Sequence, residues 1–138
     1  PNSVFAGQFI GSPSMNLVDL KPVFGGFRLG ESSIVLPEDA VPAVVRNSVN
    51  PVRMGVRPRD VQLVDEPPVI GIEVAVEDVF SVGRDRYFSF HVGDEIAQGI
   101  DVRTTSAGQG HNIAIRPEGL VFFDSQTGKR IVTQGADI

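Results

Sequence analysis

Two stretches approach the phosphate-binding pattern GxxxxGK[ST], in which glycine N–H groups cradle phosphate oxygens and a lysine reaches the terminal phosphates. In Gly25-Gly26-Phe27-Arg28-Leu29-Gly30-Glu31-Ser32 a glutamate stands where the lysine is required, and its carboxylate would repel those phosphates. That stretch reads as a hairpin turn between strands. Around Gly128-Lys129 the lysine is present, but Phe123 occupies the place of the first glycine and Arg130 that of the hydroxyl residue. His91 and His111 are the only imidazoles, and each lies in an alternating apolar stretch, where a histidine facing solvent or a carboxylate is the default. With no cysteine in the chain, a zinc site would need carboxylates brought from afar. Glu73 and Glu77 share the non-apolar side of one expected strand, a solvated face, and neither they nor Asp78 are marked as an acid and base pair. No serine stands in a nucleophile-elbow context. The expectation is therefore no catalytic, cofactor-binding or metal-ligating residue.

Arg46, Arg53, Arg57 and Arg59 form the remaining chemical cluster, a candidate protein contact able to grip an anion or an acidic partner. Against it stands pairing of these arginines with Asp60, Asp65 and Glu66, the common fate of surface charges. The net charge of −5 is the wrong sign for a surface that must neutralise phosphates, which disfavours nucleic acid. Barrels that stack bases or sugars need exposed aromatics, and here there is no tryptophan and one tyrosine, Tyr87.

The elements that must carry these residues are mostly strands. At 138 residues, 41% hydrophobic and 21% charged, the chain can bury a core without staples. Absence of cysteine fits a reducing cytosol. No apolar run reaches the roughly 20 residues of a membrane helix, and PNSVFAGQF lacks the start of a signal peptide. The expectation is a soluble domain whose natural amino terminus, given Pro1 in place of Met, has been removed. A helical stripe is confined to Val4, Phe5, Phe9 and Ile10 and is stopped by Gly11-Ser12-Pro13. From Met15 the period becomes two, as in Ile70, Ile72, Val74 and Val76 and again in Phe88, Phe90 and Val92. Turn signals recur at Gly25-Gly26, Pro37-Glu38-Asp39, Asn50-Pro51, Pro67-Pro68, Gly83-Arg84-Asp85, Gly93-Asp94, Gly108-Gln109-Gly110 and Thr127-Gly128, the punctuation of a barrel or sandwich.

A repeat organises them. GVRPRDVQLVD at 55–65 aligns without a gap to AIRPEGLVFFD at 114–124, sharing Arg57/Arg116, Pro58/Pro117 and Asp65/Asp124 at a separation of 59 positions. The expected fold is all-β: two tandem, related OB-like barrels of about fifty residues each, packed together or exchanging strands, after a short amino-terminal helical or linker segment. Residues 1–14 form that segment, and the repeat units run over 15–66 and 69–125 within a domain 15–138.

The opening PNSVFAGQFIGSPSMNL resembles the segment that joins the nucleotide-binding domain of sugar-importer ABC ATPases to their carboxy-terminal regulatory domain, through Pro1, Phe5, Phe9, Ile10, Gly11, Pro13, Met15 and Asn16. GVRPRD at 55–60 is similar to that family's Gly-Ile-Arg-Pro-Glu signature, with Arg59 in place of the glutamate. IRPEGLVFFDSQTGKRI at 115–131 resembles its closing strands. The resemblance implies a transport-associated OB-like regulatory and dimerisation domain of the maltose-importer ATPase type, cytoplasmic and peripheral on the inner membrane. It also implies structural roles for Gly11, Pro13, Asn16, Pro58, Arg116, Pro117, Glu118, Asp124 and Gly128. The implied partners are its own nucleotide-binding domain, a second subunit, permease subunits and, in some members, a cytosolic regulatory protein; ATP and magnesium belong to the nucleotide-binding part. The alternative is a free-standing OB-type module for an oligosaccharide or oxyanion.

Because both lysine and glycine candidates fail the phosphate-loop pattern, calorimetry with magnesium-ATP should show no saturable binding by this chain. An affinity tighter than about millimolar, roughly −4 kcal/mol, would overturn that expectation.

Overall fold

The computed structural model describes residues 15–64, 71–101 and 108–133. The expected linker helix, with Gly11 and Pro13, and the turn at Pro67-Pro68 lie outside the described residues. Ten strands are present: β1 (Asn16–Val23), β2 (Gly26–Leu29), β3 (Val35–Pro37), β4 (Val52–Val56), β5 (Val61–Val64), β6 (Gly71–Val82), β7 (Asp85–Val92), β8 (Glu95–Ile100), β9 (Gly108–Ile115) and β10 (Val121–Asp124). Three 3-10 turns (Glu38–Ala40, Pro58–Asp60 and Pro117–Gly119) and a single-turn helix, α1 (Ala43–Arg46), complete the described elements. The alternation read in the sequence is the alternation of burial: Val74 and Val76 on β6 and Phe88, Phe90 and Val92 on β7 are all buried.

These strands form one open sheet in the order β10-β4-β1-β2-β3 and one closed barrel in the order β5-β8-β7-β6-β9. Read from β5 in the other direction, the barrel runs β5-β9-β6-β7-β8, which repeats the order of the open sheet strand for strand. Each sheet takes four strands from one repeat unit and its fifth strand from the other. After β4 the chain leaves the open sheet, turns at Arg57-Pro58, and lays β5 antiparallel to β9, with Gln62 opposite Ala114. After β9 it turns at Arg116-Pro117 and lays β10 antiparallel to β4, with Val121 opposite Gly55. These two pairings are the same pairing displaced by the 59-position repeat. The exchange of strands was one of the two arrangements expected; two separate tandem barrels are not what the described residues form.

Closure differs between the halves. In the barrel, β5 meets β8 in a parallel contact at Gln62 and Ile100. The open sheet has no such pairing between β3 and β10, and the stretch after β3 buries Val41 and Val45, 0% and 3% exposed, in the core. The sequence reading missed α1, because a four-residue turn of helix after Pro42 is too short to show a helical period. Gly108-Gln109-Gly110, expected as a turn, begins β9 instead, with Gly108 opposite Val76 at an irregularity in the β6–β9 ladder. Glycine in a strand marks such irregularities as well as turns.

A single hydrophobic core joins both sheets, from Val18 and Met54 through Val61 and Phe88 to Phe122. At its seam lies Asn16, 5% exposed. Its Nδ2 donates to Val56 O at 3.1 Å and to Gln98 O at 2.9 Å, and its Oδ1 accepts from Gln98 N–H at 2.9 Å. One amide thereby ties β1 and β4 of the open sheet to β8 of the barrel and satisfies its own buried groups. Removing it would strand those backbone partners.

Because neither half is complete alone, the chain should unfold in one transition, coincident by Tyr87 fluorescence and by far-ultraviolet circular dichroism in urea. Asn16→Ala should lower that transition's stability by about 2–4 kcal/mol, the cost of several buried polar groups left unpaired. Two separated transitions would mean that the halves are independent.

Candidate functional site

The two Arg-Pro turns, distant in sequence, abut in space because the connections that exchange the fifth strands cross. Arg116 N–H donates to Asp60 O at 3.0 Å, and Gly119 N–H donates to Arg116 O at 2.9 Å. Arg116 Nε lies 3.5 Å from Asp60 Oδ1 and its Nη2 lies 3.6 Å from Glu118 Oε2. Gly119 is required by proximity: a Cβ there would sit 2.5 Å from Asp60 Cγ. Pro58 is buried at the start of its turn, whereas Pro117 is exposed.

This geometry corrects the pairing expected for the arginines near Asp60. The Asp60 carboxylate faces Arg116 from the other repeat unit, while Asp65 and Glu66 lie outside the described residues. The four arginines stand on three elements: α1, β4 and the 58–60 turn with its flank. Arg46, on α1, donates through Nη1 to Glu38 O and Val41 O, both at 3.1 Å, and so fastens the stretch that follows β3. Arg53, on β4, stands opposite Asp19 on β1, its buried Nε 3.5 Å from Asp19 Oδ1 and outside hydrogen-bonding geometry. Arg57 and Arg59 remain exposed on the 58–60 turn. The Arg116-Pro117-Glu118 triplet keeps its ion pair; with Arg59 replacing the glutamate, Arg57 makes no ion pair among the described residues.

Both imitations of a phosphate loop are committed to other bonds. Gly26 begins β2, where a Cβ would lie 2.0 Å from Leu36 O, and Glu31 binds the Lys21 ammonium. That hydrogen bond and charge hold the Glu31 carboxyl below its ordinary pKa. At the second, Asp124 Oδ1 accepts the N–H groups of Gln126 and Thr127 at 2.8 and 3.0 Å, and its Oδ2 accepts Asn50 Nδ2 at 2.9 Å. Gly128, at φ 76°, returns its N–H to Asp124 O at 2.7 Å. A carboxylate of the chain itself already holds two of the backbone donors on which a phosphate would have to rest.

His91 Nε2 binds Glu77 Oε1 between β7 and β6, both side chains about half exposed, as expected of a strand histidine meeting a carboxylate. His111 pairs through its backbone with Val74 on β6. Glu73, Glu77 and Asp78 are exposed. Tyr87 stacks on Phe80 at 5.8 Å; burial, then the neighbouring Asp85 charge, raises its hydroxyl's pKa. Sequence reasoning missed a groove of about 430 Å³ between α1 and β10, floored by Leu120 and Phe122 and rimmed by Asp39, Glu118 and Arg130. The only available signal was length: residues 38–51 connect β3 to β4, whereas residues 101–107 connect β8 to β9. No helix among the described residues is long and apolar enough to cross a membrane.

The hydrogen bond from Asn50, followed by those from Thr127 and Gln126, lowers the Asp124 pKa. Its stabilising contribution is therefore complete above the unfolded value of about 3.9 and is lost as pH falls through the lower folded value. Asp124→Asn should reduce the urea midpoint at pH 7, with the difference from the parent chain shrinking as the pH drops below about 4. A difference that does not change with pH would show that the carboxylate's charge is not what holds this turn.

A comparison with protein-family models gives no match. Curated relatives do match. The chain is 30% identical over 152 aligned residues to the diacetylchitobiose uptake system ATP-binding protein MsiK of Streptomyces coelicolor, covering 95% of this chain and 40% of that protein. It is 32% identical over 147 residues to the sn-glycerol-3-phosphate import ATP-binding protein UgpC of Psychromonas ingrahamii, covering 95% and 36%. To the UgpC 2 protein of Agrobacterium fabrum it is 30% identical over 148 residues, covering 98% and 36%. The chain spans about two fifths of the length of the relatives it matches. Over nearly its whole length, then, the chain is homologous to a part of the ATP-binding proteins of sugar-type ABC importers, and its sheet-rich barrel fits an OB-like domain.

Proposed function

We propose that this chain is the regulatory and dimerisation domain of the ATP-binding subunit of an ABC importer for a sugar or a sugar-like solute, with no chemistry of its own. The observation that carries the reading is the similarity across 95% of the chain to importer ATP-binding proteins more than twice as long, so that the matched part is a domain of each. The identical strand order of the two sheets supports the finer reading that the domain arose from one duplicated OB-like unit whose copies trade their last strands. The hydrogen-bonded state of both phosphate-loop imitations supports placing ATP and magnesium in another part of the subunit.

In this reading the partners are a nucleotide-binding domain of the same subunit, a second subunit and, through them, the membrane permeases at the cytoplasmic face; a cytosolic regulator is a further candidate. Arg57 and Arg59, exposed on their turn, are the candidate contacts left to an acidic partner. The test is the longer gene product. Expressed with whatever precedes Pro1, it should bind and hydrolyse ATP; shortened to end before Met15, it should still bind ATP but lose pairing of its subunits in sedimentation. A longer product without a nucleotide-binding domain would overturn the reading.

A further inference from the structure

The two Arg-Pro turns share one backbone. Each is a 3-10 turn with proline at its first position, and each is closed by the same bond, from Asp60 N–H to Arg57 O and from Gly119 N–H to Arg116 O, both at 2.9 Å. Position 59 of the first turn therefore corresponds to position 118 of the second. Glu118 stands at that place in the second turn, its Oε2 3.6 Å from Arg116 Nη2. In the first turn the residue is Arg59, so two guanidiniums occupy the places that a guanidinium and a carboxylate occupy in the other copy.

Arg57 and Arg59 are exposed on either side of the buried Pro58, and neither makes an ion pair among the described residues. Asp60, the acid next to them in sequence, is engaged by Arg116 across the crossing, with only 20% of its side chain exposed. Two like charges on one short turn repel each other, and a carboxylate placed between them would relieve that repulsion. Arginine is suited to hold one, because its planar fork of N–H groups matches the two oxygens of a carboxylate.

We propose that the first Arg-Pro turn is a docking point for a carboxylate side chain of a partner protein, which takes against Arg57 the place that Glu118 takes against Arg116. The second repeat unit selects the occupant, since a carboxylate is the group that the same backbone holds there. Net charge selects against a polyanion: at −5 the chain repels nucleic acid at long range, whereas a single carboxylate at contact distance meets two guanidiniums. The inference rests on the acidic-partner reading above and adds which group of the partner is held, and by what.

The experiment titrates the 138-residue chain, at low salt, with an end-blocked peptide alternating glycine and glutamate, and follows the backbone amides by two-dimensional NMR. The same peptide with glutamine, and inorganic phosphate, are titrated beside it. The glutamate peptide should shift the amides of Arg57, Arg59 and Asp60 with a Kd of about millimolar, and the glutamine peptide should not. Arg57→Gln and Arg59→Glu should each weaken that binding by about tenfold, the second because it supplies the carboxylate from within the turn, while Arg84→Gln on the barrel leaves it unchanged. Thermal midpoints should stay at the parent value, since all three side chains are exposed. No shift at this turn, or binding that survives Arg59→Glu undiminished, would overturn the inference and leave standing the domain reading, which the longer gene product tests. Phosphate that shifts the same amides at a lower concentration than the glutamate peptide would make the turn a small-anion site and overturn protein docking there.

Discussion

The molecule depends on a constraint of topology: each sheet lacks its fifth strand until the other repeat unit supplies it. β5 completes the barrel by bonding to β9 along Val61–Val64, and β10 extends the open sheet by bonding to β4 along Val121–Asp124. A unit of about fifty residues buries too little apolar surface to stand alone with confidence in water. Exchange removes that problem by making one core from two. It also explains why the core has no boundary at the middle of the chain and why Asn16, a polar side chain, can lie buried between the sheets. The Asn16 amide is fully engaged by β4 and β8, so its burial fixes the relative placement of the two sheets instead of weakening them.

The crossing of the two exchanging connections explains the Arg-Pro motif. Proline at the first position of each 3-10 turn sets the backbone angle that lifts the chain out of one sheet and into the other. Where the turns touch, one arginine suffices: Arg116 engages Asp60 across the crossing and Glu118 within its own turn. Half-exposed pairs of this length contribute little to stability by themselves. Their value is geometric, since the guanidinium and the Gly119 backbone leave room for only one arrangement of the crossing. The repeat is therefore symmetric in backbone but not in charge, and Arg57 is left facing solvent. A buried acid elsewhere shows the contrast: Asp101, 4% exposed, is held by Arg86 Nε at 3.2 Å, its carboxylate out of water while the arginine side chain stays partly exposed.

Much of this was legible from residues. Period-two alternation located β6 and β7, the Gly25, Gly83, Gly93 and Gly128 turns were marked by residues that tolerate positive φ, and the ungapped 59-position repeat announced two equivalent turn-and-strand pieces. The repeat could not say with which sheet each final strand pairs, because β5 and β10 have similar apolar patterns and either ladder would bury them. That choice is made by long-range packing. The partner of Asp60 was misread for the same reason, as sequence proximity favoured Arg57 and Arg59 whereas the crossing delivers Arg116. Gly108-Gln109-Gly110 was misread because glycines serve irregular strands and turns alike. The groove between α1 and β10 is invisible to motif reasoning, because long-range packing alone brings Asp39, Glu118 and Arg130 to one rim.

The asymmetry between the halves bears on what each can contact. The barrel is closed, so it has no free edge and little freedom to accept another chain. The open sheet does not close between β3 and β10; the stretch after β3 buries Val41 and Val45 in the core, and the groove and the exposed tip of the β1–β2 hairpin lie on that half. Its outer edges are nonetheless blunted. Pro37 ends β3 without an N–H to offer, and the return of the chain past Gly128 places Ile131 N–H on Phe122 O, covering β10. Backbone pairing with a neighbour is thereby discouraged while side-chain contact through the sheet's end remains open. One half thus closes on itself as a barrel, and the other stays an open sheet with blunted edges.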